Sequence, residues 1–328
     1  MPEYKNDPRI VGWRERSASR SEEAIECLAA VPGVSGLILG GSVGRGEHWP
    51  LSDIDVIVIS SGRPVDEVSQ EIDRRAYQLS EMWGSSGIYT AVDAGRIVID
   101  ATRISVADAE TPPPLDDDRW FHGIDKAFGG RAYRDETGDA AAFLALSSRW
   151  RFSPAVVERR IDTWLASARE ALNAAERLDA DDAIGAWIAI RRAATAIAEA
   201  ATETWGQRAG SLGRYWTHFE RRAEQCNAKA FADELLTAAA AHPCEVPDIP
   251  EWLADRIALS FEAREHVGER ITWQENARDN LLAFAGLYRA RFATARAPWL
   301  RALSGSHVMG AVEPPERLRA ELVKGLPT

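Results

Sequence analysis

Asp53 and Asp55 stand two residues apart at the head of a β-branched run, Asp-Ile-Asp-Val-Ile-Val-Ile-Ser, and Gly40-Gly41-Ser42 precedes them across ten intervening residues. A strand alternates its faces with period two, so both carboxylates belong to one face. Two acids held on one face repel each other unless a cation lies between them. Oxygen ligands spaced in this way suit Mg²⁺, which takes one or two protein carboxylates together with substrate phosphates. The glycines upstream fit the same chemistry, because they let backbone N–H groups approach an anion closely. The stretch Leu37 to Ser60 therefore reads as a metal-plus-phosphate site.

The elements that must position this site alternate between helix-like and strand-like patterns. Ser21 is a candidate N-cap, with two glutamates in the first turn, for a helix through Ala30. Strands are expected at Val34 to Leu39 and Ile54 to Ile59, and a helix from Val65 to Trp83. Ile88 to Val92 and Arg96 to Ile104 read as a hairpin around Asp93-Ala94-Gly95. Thr111-Pro112-Pro113-Pro114, followed by Asp116, Asp117 and Asp118, is a break and a solvated linker. Gly129 to Gly138 reads as a short strand ending in a polar turn. From Ala140 onward the pattern becomes alanine-rich with a 3.6-residue period. Helices are expected near Pro154 to Leu178, Asp181 to Thr204, Ala228 to Ala241, Glu251 to His266 and Trp273 to Ala295. The fold class expected is α+β: a mixed sheet with flanking helices over residues 1–139, then an all-helical, bundle-like domain over residues 140–328.

A chain of 328 residues suits about two domains. Its formal charge of -11 does not draw polynucleotide phosphate to the whole surface, which lowers the case for a nucleic-acid substrate. Cys27, Cys226 and Cys244 have no metal-ligand spacing and cannot all pair, which fits a reduced, cytoplasmic setting. The first twenty residues lack an apolar core of signal-peptide type, and no later run approaches the ~20 apolar residues of a membrane span. The high count of 12 tryptophans implies large buried or cleft-lining aromatics.

Gly41-Ser42, the spacer and Asp53-Ile54-Asp55 together resemble the signature of the nucleotidyltransferase superfamily related to DNA polymerase β. The wording Gly-Ser-Val-Gly-Arg-Gly and Ser-Asp-Ile-Asp is similar to its small-molecule branch, which includes aminoglycoside adenylyltransferases with helical carboxy-terminal domains. The resemblance covers about residues 34 to 138 and is architectural beyond them; Arg131-Ala-Tyr-Arg-Asp-Glu-Thr-Gly138 resembles the turn that closes the family's catalytic domain. It implies that Asp53, Asp55 and a third carboxylate, expected at Asp100 after Ile97-Val98-Ile99, hold two Mg²⁺ ions about 4 Å apart for in-line displacement at an α-phosphate. It also implies that Gly41 and Ser42 bind the β- and γ-phosphates of an NTP, with ATP as the first expectation, and that Arg45 adds a charge-assisted contact. Asp93 is a rival third acid whose place beside Gly95 favours a turn. Glu47 and His48 are expected to face solvent.

The activity implied is Mg²⁺-dependent transfer of a nucleoside monophosphate to a small hydroxylated acceptor, in antibiotic inactivation or natural-product assembly. Transfer to a tRNA or protein, and nucleotide binding without catalysis, are the alternatives. In the helical half, Arg191 and Arg192 are candidates for reaching phosphate, and Ser211 to Arg222 for a substrate wall. Trp205 and Trp216 are expected in the core. Glu199 and Glu203 are among the glutamates open to a cationic acceptor, and the general base is left between Asp100 and a helical-domain glutamate. The acceptor, the nucleobase and the oligomeric state are not specified by spacing.

Overall fold

The computed structural model describes residues 4–84, 92–93, 97–106, 112–178, 182–208, 211, 213–242 and 249–291. The chain divides into two compact units, Lys5–Val156 and Val157–Thr328, the second joined by Met1–Tyr4.

The first unit is built on a short mixed sheet. Helix α1 (Trp13–Ala29) leads into β1 (Val34–Leu39), the one-turn helix α2 (Gly41–Arg45), β2 (Ile54–Ser60) and α3 (Val65–Met82). Then come β3 (Val92–Asp93), β4 (Val98–Asp100), α4 (Ala101–Val106), α5 (Asp118–Ala127), β5 (Arg131–Tyr133) and α6 (Asp139–Trp150). The strand order is β3-β2-β1-β5, with β4 also paired to β2. β1 runs antiparallel to both β2 and β5, whereas β3 and β4 run parallel to β2. Strand alternation sorts the core into two layers. Leu37, Leu39, Ile54, Val56 and Val58 pack with Ile25 and Leu28 of α1 and Val68 and Ile72 of α3. Ile38, Ile57, Ile59, Ile97 and Ile99 pack with Trp120 and Ile124 of α5 and Phe143 of α6. Asp55 shares the parity of Ile57 and Ile59, so it belongs to the α5–α6 face.

Several expectations change. α1 starts eight residues before Ser21, because Ile10 and Trp13 are buried and carry the helix into the core earlier. Ser21 is therefore mid-helix, its hydroxyl donating to the Ser17 carbonyl at 2.7 Å. The expected hairpin is not formed. Val92–Asp93 and Val98–Asp100 both run parallel to β2, so the chain follows β2 in one direction, and residues 101–106 are helix rather than strand. The remaining parts of that expectation, residues 88–91 and 94–96, lie outside the described residues. The aspartate run after the prolines is the start of α5 rather than a linker, with Asp117 accepting from the Arg119 N–H at 3.0 Å as its N-cap. The first compact unit runs on through α6 to Val156. The physical reason is that α6 buries Ala140 and Phe143 against α5, sets Phe143 edge-on to Trp120 and ties Ser147 to the Ile124 carbonyl at 2.7 Å.

The second unit is helical among its described residues: α7 (Pro154–Glu176), α8 (Ala183–Thr204), α9 (Tyr215–Gln225), α10 (Lys229–Ala238), α11 (Glu251–His266) and α12 (Trp273–Arg291). Alanines on α8 let Trp187, Trp216 and Phe219 pack in the interior, and Trp205 stacks on Phe219 at 5.6 Å. Trp216 is thus a core residue, while Trp205 is partly buried against the same cluster. Beside them runs a buried ionic network. Arg264 pairs with Asp279 at 3.1 Å and with Glu269 at 2.8 Å, and Asp279 accepts from the Thr217 hydroxyl at 2.6 Å. Removing one member leaves its partner's charge buried and uncompensated. Asp279→Ala is therefore expected to cost about 3–5 kcal/mol of stability, read by urea unfolding. No described helix is long and apolar enough to cross a membrane.

Candidate active site

β1 ends at Leu39, and the chain must turn sharply to leave the sheet. Gly40 donates its N–H to the Asp55 carbonyl at 2.9 Å, and its α-carbon lies so close to the Lys126 carbonyl that any side chain would collide with it. Gly41 follows with φ 57°, in the left-handed region, and opens α2. A methyl group on Gly41 would overlap the Asp55 carboxylate, so the turn backbone lies directly against that acid. Gly41→Ala is expected to combine about 1–2 kcal/mol of backbone strain with displacement of Asp55. Urea unfolding and nucleotide binding should both register the change.

Asp55 is 2% exposed, whereas Asp53, just before β2, is exposed. A carboxylate that deeply buried needs a partner, and the sequence reading missed it. Lys126, in the last turn of α5, places its Nζ 2.6 Å from Asp55 Oδ1. Burial pushes the ammonium down, but the fields of Asp55 and Asp53 and the hydrogen bond to Asp55 outweigh it and leave its pKa above the ordinary lysine value. Nothing in the spacing marks Lys126; the one available signal was the amphipathic pattern of Asp118 to Ala127, hidden behind the proline break. Ser42 donates its hydroxyl to Ser52 Oγ at 3.2 Å, and Ser52 accepts from the Trp49 N–H at 3.0 Å, which fixes the loop between turn and strand.

Arg45 is engaged elsewhere. It pairs with Glu47 at 2.7 Å and lies along Gly129. His48 is half-buried edge-on to Trp13 rather than facing solvent. Asp100 does not join the pair. It stands opposite Ser60, five residues along β2 from Asp55, a separation of roughly 16 Å at the strand rise. There it accepts from the N–H and hydroxyl of Thr102 at 2.9 and 2.7 Å, at the start of α4. The backbone register instead sets Asp93 opposite Asp55. Because β4 is parallel to β2, its carboxyl end is remote from the end of β2 that carries the acids.

The helical-unit candidates are also accounted for. Arg191 is buried and donates to the Leu282 carbonyl, and Glu203 is buried in a 2.8 Å pair with Arg160. Glu199 neighbours Tyr215 and, with desolvation, raises the phenol's pKa. A cavity of about 550 Å³ lies between α1, the end of α2 and β5, lined by residues including Arg14, His48, Arg131 and Arg134. It opens beside Leu39, on the sheet face opposite Asp55, and none of the three aspartates lines it.

The donors fit a hard divalent cation. Asp53 and Asp55 are carboxylates two residues apart at the head of β2, the oxygen donors such a cation takes, and Asp55 already meets a cation in the Lys126 ammonium. Among the described residues no group of three His, Cys, Asp or Glu side chains gathers as a metal cage.

A mixed sheet with flanking helices, a glycine turn and two acids at the head of the second strand, followed by a helical region, fits an α+β nucleotidyltransferase fold. Residues 22–84, from within α1 to the end of α3, match the model of the family described as nucleotidyltransferase domain. That segment contains Gly41, Ser42, Asp53 and Asp55. No curated protein matches the chain.

Proposed function

We propose that the protein is a divalent-metal-dependent nucleotidyltransferase that moves a nucleoside monophosphate from a nucleoside triphosphate to a hydroxyl of a small acceptor, releasing pyrophosphate. The observation that carries this reading is the Asp53–Asp55 pair with the Gly41 turn pressed against Asp55, inside the segment that matches the nucleotidyltransferase domain. Asp53 and Asp55 would hold Mg²⁺, and Asp93, at the register of Asp55, replaces Asp100 as the third carboxylate in this reading. Bound Mg²⁺ supplies charge neutralisation at the attacking and leaving oxygens.

The remaining work falls to positioning. The Gly41 turn presents backbone donors to phosphate oxygens, and the Ser42 hydroxyl would exchange Ser52 for one of them. The acceptor oxygen forms a bond to the α-phosphorus, and the bond from that phosphorus to the bridging oxygen breaks, its electron pair leaving with pyrophosphate. The hydroxyl proton passes to a carboxylate, for which Asp93 is the candidate by register. The net charge of -11 supports a neutral or cationic acceptor, such as an aminoglycoside-type molecule, over a nucleic acid. ATP is the first donor to test. Pyrophosphate release, measured with each NTP and Mg²⁺ across a panel of hydroxylated acceptors, should appear with at least one pair. No release from any pair, together with no binding of metal–nucleotide, would overturn the reading.

A further inference from the structure

The Lys126–Asp55 contact has the most deeply buried carboxylate among the described ion pairs of the first unit. Those of Arg9–Asp7, Arg45–Glu47, Arg119–Asp66 and Arg151–Asp125 have side chains that are 13% exposed or more, so water shares in their solvation. Asp55 has a side chain only 3% exposed. One oxygen meets the ammonium, and the other lies against the Gly41 backbone. Losing Lys126 would therefore leave Asp55 charged, buried and without compensation. The lysine itself is 31% exposed, and it sits at the end of α5, whose Lys126 carbonyl packs on Gly40. The backbone is thus fixed, while the side chain has an open side towards which to move.

Resting on the reading of Asp53 and Asp55 as the metal–nucleotide site, we propose that Lys126 is a stand-in cation: it holds Asp55 in place when no divalent metal is bound, and gives up that carboxylate when one binds. Three features support this. The ammonium occupies an oxygen that the metal needs, so the two cations compete for Asp55. Its charge also acts on Asp53, the other carboxylate of the pair. A four-carbon stem anchored at a helix end allows the head to swing to a neighbouring anion. Once released, Lys126 stands beside the phosphates that accompany the metal and pairs with them. Lys126 thereby keeps a buried, preformed metal ligand from collapsing between turnovers, and it sets a threshold that free Mg²⁺ alone meets less readily than Mg²⁺ with nucleotide.

The test is thermal unfolding of the full chain titrated with Mg²⁺, without nucleotide, for wild type, Lys126→Met, Lys126→Gln and Lys126→Arg. Lys126→Met and Lys126→Gln should be less stable than wild type in EDTA and should gain more from Mg²⁺. Their half-maximal stabilisation should fall at an Mg²⁺ concentration about tenfold lower, because the competing charge is gone. Lys126→Arg should titrate like wild type. Lys126→Gln keeps a hydrogen-bond donor for Asp55, so it serves if the methionine variant does not fold. In pyrophosphate release, the neutral variants should lose more in kcat than in KM. Equal Mg²⁺ midpoints in wild type and both neutral variants, or a loss of stability that Mg²⁺ does not restore, would overturn the role of Lys126 alone. No response of the wild type to Mg²⁺, with no nucleotide binding, would overturn the metal-site reading and the role of Lys126 with it.

Discussion

Asp53→Ala is expected to abolish pyrophosphate release while leaving the fold intact. Asp53 is exposed and precedes β2, so its removal opens no cavity in the sheet. Its carboxylate is nevertheless half of the acid pair, and a metal held by one carboxylate is held weakly and out of place. Charge stabilisation by the metal is worth several kcal/mol of transition-state energy. At about 1.4 kcal/mol per tenfold, losing some 4 kcal/mol lowers turnover about a thousandfold. Paired circular dichroism melts and pyrophosphate release check the two halves of the expectation. Turnover near wild type in a folded Asp53→Ala would mean that the site lies elsewhere.

The second large effect is a contrast between two aspartates. Asp93→Ala should reduce turnover by about a hundredfold or more, on the footing that a third carboxylate takes part in general-base or metal chemistry. Asp100→Ala should leave turnover at the wild-type level and cost about 1 kcal/mol of stability, because its work is to receive the Thr102 N–H and hydroxyl at the start of α4. Steady-state rates and urea midpoints for both variants separate the roles. The reverse pattern would return the third carboxylate to Asp100.

That contrast also marks where residue order stops being informative. Strand β1 and the start of β2 were legible, because apolar β-branched runs bounded by Gly40 and by the loop before Asp53 fix both ends. The acid pair was legible for the same reason: period-two alternation is local. The third acid was not. Both Asp93 and Asp100 end a strand segment, and only the pairing partner and direction decide which one stands beside Asp55. The hairpin reading of residues 88–104 put Asp93 in a turn, because sequence carries turn signals but not strand direction.

Lys126 was hidden for a related reason. It lies 71 residues from Asp55, on a helix whose start looked like a solvated acidic run behind three prolines. The ammonium matters only because the carboxylate is buried, and burial is a property of the packed sheet. In the helical half, alanine-rich periodicity gave α11 its bounds and α7, α8 and α10 to within a few residues, but it missed α9, the expected end of α12 at Ala295 lies outside the described residues, and it did not reveal which arginines are internal. Arg191, Arg264 and Arg278 are buried, with partners that come from distant helices.

Calorimetric titration of nucleoside triphosphate into the wild type and Asp55→Asn, each with Mg²⁺ and with EDTA, tests the central claim most directly, namely that the carboxylate pair at the head of β2 is a metal–nucleotide site. The wild type should bind nucleotide with Mg²⁺ and lose that binding in EDTA, and Asp55→Asn should bind poorly in both. Equal binding with and without metal, or undiminished metal-dependent binding by Asp55→Asn, would contradict it.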